Sequence, residues 1–201
     1  YNDFYGLRVQ DEEISLNYPD VSRVIAVYES INSNPPVLDK LTFEAGLDLD
    51  TNSVLGEYIV GPNNRALAQI VTRTSPTEVE IVYLNEDRFA VGELLTLQES
   101  GISGVLQEIR IGTYVDRTDD FVLDKGQKPD FYDYSRLIRN PGVAIPSKQL
   151  IAIFNHYTIA SSDDGDVYTV NSYDGERYKE DIPEVLVSGT ISRATDLIDF
   201  R

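Results

Sequence analysis

The run from Lys148 to Ile159, KQLIAIFNHYTI, constrains the fold more than any other stretch, because strand alternation persists through all of it and a turn closes it. Ile151, Ile153, Asn155 and Tyr157 fall on one face, and Leu150, Ala152, Phe154 and His156 on the other, since side chains alternate along a strand. Both faces begin apolar, which predicts a central strand. Asp164-Gly165 then ends the run, and an Asp-Gly pair between two β-rich segments is the strongest short-range hairpin signal a sequence carries. The chain returns through Val167-Tyr168-Thr169-Val170, turns again at Asp174-Gly175 and closes at Pro183, which cannot donate to a central ladder. A β-meander of three strands follows from this local chemistry.

The N-terminal part obeys the same rules. Leu7 and Val9 lead into Gln10-Asp11-Glu12-Glu13, and Ile14 and Leu16 lead out to Tyr18-Pro19-Asp20, which predicts a hairpin. In the next strand Val21, Arg23, Ile25 and Val27 oppose Ser22, Val24, Ala26 and Tyr28. Asn32-Ser33-Asn34-Pro35-Pro36 ends it, because consecutive prolines fix the backbone and remove two donors. Leu41 and Phe43 start another strand. Further on, Tyr114-Val115 and Phe121-Val122-Leu123 predict a strand pair. Phe131, Tyr134 and Ile138 are spaced for a short helical turn, the only helix that a 3.6-residue period suggests.

Residues 55–110 differ in texture and carry an internal echo. Gly56-Glu57-Tyr58-Ile59-Val60-Gly61 followed by Leu67-Ala68-Gln69-Ile70 resembles Gly92-Glu93-Leu94-Leu95-Thr96-Leu97 followed by Val105-Leu106-Gln107-Glu108-Ile109. Chance similarity between two β-hairpins is the competing explanation. Short strands recur here at the spacing of about 8–12 residues typical of small sandwiches and barrels. The expectation is an all-β fold in which residues 1–53 and 112–201 form a discontinuous β-sandwich and residues 54–111 form an inserted, small barrel-like module.

The residues DYSRLIRNPGVAIPSKQL, GDVYTVNSYDGERY, DIP and DLIDFR, with the opening YNDFYGLRVQ, ISLNYPDVSRVIAVYES and LDKLTFEAGLDLDTNSVLGE, closely resemble a domain of unknown function in structural proteins of contractile-tailed marine phages, cyanophages especially. The resemblance covers nearly the whole chain. It implies a virion component assembled in the host cytoplasm, belonging to the tail, baseplate or tail-fibre apparatus. Its partners would be other virion subunits and, in the assembled particle, further copies of itself. It carries no catalytic residues that could be transferred to this chain.

Charge narrows the partners further. Formal net charge is −17, with 34 Asp+Glu against 17 Lys+Arg, which repels phosphate backbones and anionic lipid. Nucleic acid and membrane are therefore not expected partners. No run of eighteen apolar residues and no charged-then-apolar leader is present, so the chain reads as soluble. Cysteine is absent, which removes disulfides and thiolate chemistry. Methionine is absent too, position 1 included, and this suggests a chain cut from a longer one.

Candidate chemistry is sparse, and neither a cofactor nor a metal is expected. His156 is the single histidine, so a catalytic triad would have to be built around it, yet no G-x-S-x-G elbow accompanies it. Asp163, Asp164 and Asp166 could offer oxygens to calcium, but Gly165 does not match an EF-hand loop. Asp48, Asp50 and Asn52 come nearer to the alternating ligand pattern, although Ser53 replaces the glycine and Ile59 the bidentate Glu. Gly101 and Gly104 lack the Lys-Ser/Thr of a phosphate loop. The more informative charges are Arg136 and Arg139, set among Tyr132, Tyr134, Leu137 and Ile138. Arginine pairs bidentately and stacks on aromatics, so Tyr132, Tyr134, Arg136 and Arg139 form a candidate interface, with an ordinary exposed salt bridge as the alternative. The expected function is a non-enzymatic virion module. The alternative is a glycan-binding or glycan-hydrolysing tail module, because many of the acids could form a carboxylate pair about 5–10 Å apart. A non-viral adhesion sandwich rests on fold analogy alone.

Overall fold

Strand β3 (Val21–Ser30) follows β1 (Tyr5–Gly6) and β2 (Glu13–Ser15) in a computed structural model that describes residues 5–6, 8–62, 65–127 and 133–157, together with short strands beyond them. Next come β4 (Asp39–Phe43), one helical turn α1 (Leu49–Asn52), β5 (Tyr58–Val60), β6 (Leu67–Ser75), β7 (Glu78–Tyr83), β8 (Leu94–Leu97) and β9 (Ser103–Arg110). The chain continues through β10 (Tyr114–Asp116), β11 (Phe121–Asp124), β12 (Arg136–Arg139) and β13 (Leu150–His156). The last described pairs are β14 (Val167–Tyr168) with β17 (Asp199–Phe200), and β15 (Glu184–Val187) with β16 (Thr190–Arg193). The protein is all-β.

Three layers result. Strands β1-β2-β12-β11 form one sheet, β10-β3-β13 a second, and β4-β7-β6-β5-β8-β9 close into a barrel. The first two sheets face each other across Val27, Phe121 and Leu137, with Ile14, Leu16, Val24, Leu150 and Ala152 packed around them. The back of the second sheet lies against the barrel through Ala26, Tyr28, Leu38 and Val82, with Ile25, Val71, Tyr114 and Ile153 alongside. Strand β3 is therefore covered on both faces. Alternation produces this from Ala26 onward, since Ala26 and Tyr28 point one way and Val27 the other; a register shift that skips Ile25 interrupts the expected faces, so Ile25 sides with Ala26 and Val24 with Val27.

Several expectations are corrected by pairing. The barrel begins at Asp39 rather than near residue 54, because β4 bonds to both β7 and β9. β1 and β2 run parallel, Tyr5 opposite Glu13. Residues 8–12 coil back as a compact loop closed by the Asp11 carboxylate on the Arg8 N–H at 3.0 Å, so β2 starts alongside β1 instead of returning along it. Tyr114–Asp116 and Phe121–Asp124 belong to facing sheets, carried across by a short 3-10 turn at Thr118–Asp120. The helical turn expected around Ile138 is strand β12, held between β2 and β11; sheet pairing on both sides outweighs a weak 3.6-residue spacing. The central strand of the second sheet is β3. β13, expected to be central, has β3 on one side only among the described residues, and its half-burial comes from its faces. The Asp174-Gly175 turn lies outside the described residues, as does the Asp164-Gly165 turn.

The barrel interior also follows from alternation. Leu41 and Phe43, Ile59, Ala68 and Ile70, Val79 and Ile81, Leu95 and Leu97, and Leu106 all point inward and are buried. Closing the sheet removes its open edges. The two halves match at a constant offset of 36 residues: Glu57 and Glu93, Ile59 and Leu95, Ala68 and Gly104, Ile70 and Leu106. Exchanging β4 with β7, β5 with β8 and β6 with β9 maps every neighbour pair of the barrel onto another neighbour pair. Local geometry repeats as well. Gly56 and Gly92 both have left-handed backbone (φ 87 and 88), which glycine adopts without a Cβ penalty. Glu57 then accepts the Val54 N–H at 2.6 Å, and Glu93 the Ala90 N–H at 3.1 Å. The echo is thus a structural repeat with a two-fold relation between halves.

Glu57 is fully buried and does more than close its own turn. It accepts the backbone N–H groups of Glu99 (3.1 Å) and Ser100 (2.9 Å) and the Ser100 hydroxyl (3.0 Å), which pins the β8–β9 hairpin to the start of β5. Glu57→Gln keeps the shape but turns a donor toward backbone donors. A loss of about 1.5–3 kcal/mol is expected, against about 0.5–1.5 kcal/mol for Ser100→Ala. Urea midpoints at unchanged slope check this, and equal losses for the two variants would contradict the hub role of the carboxylate.

Candidate functional site

The candidate interface residues separate once their partners are in place. Arg136 lies on β12 opposite Asp124 of β11 and Ser15 of β2. Its guanidinium donates to Glu13 Oε2 at 3.0 Å and to Asp133, and its Nε lies 3.8 Å from Asp124 Oδ2. The side chain is only 12% exposed, so it binds strands together rather than presenting a charge. Burial opposes that charge, but the hydrogen bond to Glu13 and the fields of Asp133 and Asp124 outweigh it and raise the guanidinium pKa. Arg139 donates to the carbonyls of Gln10 (3.3 Å) and Asp11 (3.1 Å), anchoring the loop between β1 and β2. Tyr134 is exposed, and Tyr132 lies outside the described residues. Of the three that are described, Tyr134 alone is exposed.

His156 is exposed and packs on Tyr18, with ring centroids 4.7 Å apart, while Tyr18 also meets Phe154 edge-on at 5.6 Å. Its Nδ1 lies 3.3 Å from the Tyr157 carbonyl. These neighbours make an aromatic cluster rather than a nucleophile and base. Asp48 has left-handed backbone before α1, and its carbonyl accepts the N–H groups of Thr51 and Asn52. Asn52 donates its amide to the Leu47 carbonyl and Asp50 accepts the Thr51 hydroxyl, so the Asp48-Asp50-Asn52 set shapes a turn. Among the described residues no three His, Asp or Glu side chains converge as a metal cluster would. Asp163, Asp164, Gly165 and Asp166 lie outside them. Gly101 is a hairpin turn at φ 71, and Gly104 makes room for a neighbour, since a Cβ there would stand 2.3 Å from Leu47 Cδ1.

The polar site that sequence reasoning missed sits where the chain enters and leaves the barrel. Asp39, at the start of β4, accepts the Gly112 N–H at 2.7 Å and the Tyr114 hydroxyl at 2.8 Å. One buried carboxylate thereby ties entry to exit. Tyr28 stacks on Tyr114 with centroids 3.9 Å apart. A Cβ on Gly112 would approach the Val37 carbonyl oxygen to 2.4 Å, so glycine alone fits. A second staple lies on the opposite face of β3, where Glu29 accepts the N–H groups of Ser147 (2.7 Å) and Lys148 (3.0 Å) and pairs with Arg117 at 3.3 Å. Nothing in the local sequence marks either set, because each joins segments distant along the chain.

Burial pushes the Tyr28 phenol up to about 12, the neighbouring Tyr114 hydroxyl pulling it down and the Asp116 and Asp39 charges adding to the rise. Tyr114 is raised as well, by burial and then by donating to Asp39.

Comparisons of this chain with family models, with curated proteins and with solved structures find no match. The arrangement of the described residues is that of internal staples: cations and carboxylates join strands, and few charged groups converge on a common point in solvent.

Two outcomes follow. Arg136→Met leaves three carboxylates without their shared cation and is expected to cost about 2–4 kcal/mol, less than a wholly buried pair because Glu13 and Asp133 reach water. Chemical unfolding measures this, and a loss within error of zero would return Arg136 to the role of an exposed ion. The second outcome concerns pH. Tyr28 is neutral in the fold and its folded pKa exceeds the ordinary 10.0. Its contribution is therefore complete below about pH 10 and is lost as pH rises from about 10 to about 12. Unfolding midpoints taken across that window should fall more steeply for the wild type than for Tyr28→Phe, and parallel curves would show that Tyr28 does not couple to stability.

Proposed function

We propose that this chain is a non-enzymatic structural module of a phage virion, belonging to the tail, baseplate or tail-fibre apparatus, whose partners are other virion subunits. The near full-length resemblance to structural proteins of contractile-tailed marine phages carries the reading. The manner in which the fold uses its charges supports it. Arg136, Arg139, Arg117, Glu57, Glu29 and Asp39 each join separate strands or loops, which suits a stiff unit that transmits load between neighbours.

A glycan-binding module is the second reading, and one observation favours it. Tyr18, about half exposed beside His156 and Phe154, offers a ring face of the kind that stacks on sugars, and an acidic surface selects against anionic ligands. Incubating the protein with host envelope polysaccharide, then assaying reducing ends and bound glycan, separates the two. The structural module gives neither turnover nor saturable binding. Saturable binding that disappears in Tyr18→Ala would replace it with a receptor-binding module. Turnover abolished by exchanging one carboxylate for its amide would replace it with a hydrolase.

A further inference from the structure

We propose that Tyr114, Tyr28 and Asp39 form an oxidation site, at which one-electron oxidants in solution draw electrons from the two stacked phenols and join them as an intrachain dityrosine. Composition makes tyrosine the main target of such oxidants. The chain has no Cys, no Met and no Trp, and its oxidisable side chains are 13 Tyr and one His. Thiols and thioethers, which oxidants readily attack, are absent. A net charge of −17 also draws cationic oxidants to the surface and eases the removal of electrons.

Geometry singles out this pair. Tyr114 donates its hydroxyl to Asp39 Oδ2 at 2.8 Å, while the Gly112 N–H holds the other carboxylate oxygen at 2.7 Å. A phenol that loses an electron becomes a strong acid and sheds its proton. A carboxylate is a far stronger base than water, so Tyr114 has a proton acceptor already in line with its O–H bond. Tyr58, by contrast, accepts from the Arg23 guanidinium, whose positive charge opposes the loss of an electron. The second phenol is in contact with the first. Tyr28 pairs with Asp116 and Tyr114 with Ser30, which makes the two tyrosines diagonal neighbours on one face. Their rings stack with centroids 3.9 Å apart at 14°, and their hydroxyls are hydrogen-bonded to each other. This brings the ring carbons beside the two oxygens within reach of one another. Tyr28 is buried beside Ala26, Leu38 and Val82, so packing holds the rings in place and shields them from a second chain.

Removing one electron from Tyr114 sends its phenolic proton to Asp39 and leaves a neutral phenoxyl radical. Asp39 returns that proton to water. A second oxidant molecule takes an electron from Tyr28, whose proton follows the same path through the Tyr114 oxygen. The two radicals then pair in a carbon–carbon bond between ring positions ortho to the oxygens, and the hydrogens on those carbons move to the oxygens and restore both phenols. Two electrons have gone to two oxidant molecules and two protons to water, so the chain is lighter by two hydrogens. The new bond ties β10, where the chain leaves the barrel, to β3, the strand covered on both faces. It does not depend on the chain's being a virion subunit.

Visible light on the whole chain at micromolar concentration, with a ruthenium tris-bipyridine complex and persulfate, supplies a cationic one-electron oxidant and tests this. The wild type should gain dityrosine fluorescence while remaining a monomer lighter by two hydrogens, and peptide mapping should find Tyr28 joined to Tyr114. Its urea midpoint should rise, since a cross-link restricts the unfolded chain. Tyr28→Phe and Tyr114→Phe should each lose the cross-link, and Tyr134→Phe, at an exposed position, should keep it. Asp39→Asn retains an acceptor for the Tyr114 hydroxyl but removes the base, so it should form the bond roughly tenfold or more slowly. Circular dichroism confirms the fold of each variant, and if Asp39→Asn does not fold, the two stacked-tyrosine variants decide alone. Oxidation that falls on Tyr18, Tyr134 or other tyrosines without a Tyr28–Tyr114 peptide overturns the proposal. A folded Asp39→Asn that cross-links at the wild-type rate overturns it too.

Discussion

Double-sided burial of β3 is the constraint on which the rest depends. Val27 enters the core between the two sheets, and Ala26 and Tyr28 enter the seam with the barrel. A strand in that position cannot lose either neighbouring layer without exposing apolar surface to water, a cost that grows with the area uncovered. The barrel is therefore more than an appendage on two linkers, because its Val82 and Val71 help cover the back of β3's sheet. Polar groups extend the seam. Arg23 donates to the Tyr58 hydroxyl, and the Gln69 amide donates to Asn155 Oδ1 at 3.3 Å. The Asp39 carboxylate holds the two crossing segments together at one end of it.

The acidic composition shapes how the fold is held. With twice as many acids as bases, cations cannot pair with every carboxylate, and a buried carboxylate without a partner is costly. Backbone N–H groups take the place of a cation at Glu57 and Asp39 and supplement Arg117 at Glu29, where charge-assisted bonds are stronger than neutral ones. Each such carboxylate needs only local backbone geometry on the acceptor side, yet its donors come from other segments. The same acidic composition that gives the chain its net charge of −17 thus also braces the interior.

Much of the fold was legible because alternation is a local property. Strand 39–43 has its apolar residues at every second position, and strands 21–30, 78–83 and 150–156 sit on β-rich apolar runs bounded by polar or turn residues. The paired Gly-Glu turns were legible too, since a left-handed glycine followed by a carboxylate that closes the turn is written in adjacent residues. The candidate interface was not. Arg139 reaches carbonyls 128 and 129 residues away, and an arginine among tyrosines looks the same in sequence whether it faces a neighbouring strand or solvent. Strand β4 was assigned to the sandwich for a similar reason: the alternation of Leu41 and Phe43 names an inward face but not the core it faces.

By itself, then, the sequence determined the all-β class, the positions of strands such as β3, β4, β7 and β13, the repeated turns of residues 55–110 and the sign of the net charge, because each depends on residues within a few positions or on composition. The tertiary structure alone decided which strands pair, that β1 and β2 run parallel, that the barrel closes through β4, and that β3 is the strand covered on both faces. It also decided that Ile111 and Val115 remain uncovered while Val27 does not. Pairing and coverage arise from contacts between segments far apart along the chain, and their energies depend on distances and shapes that the order of residues does not contain.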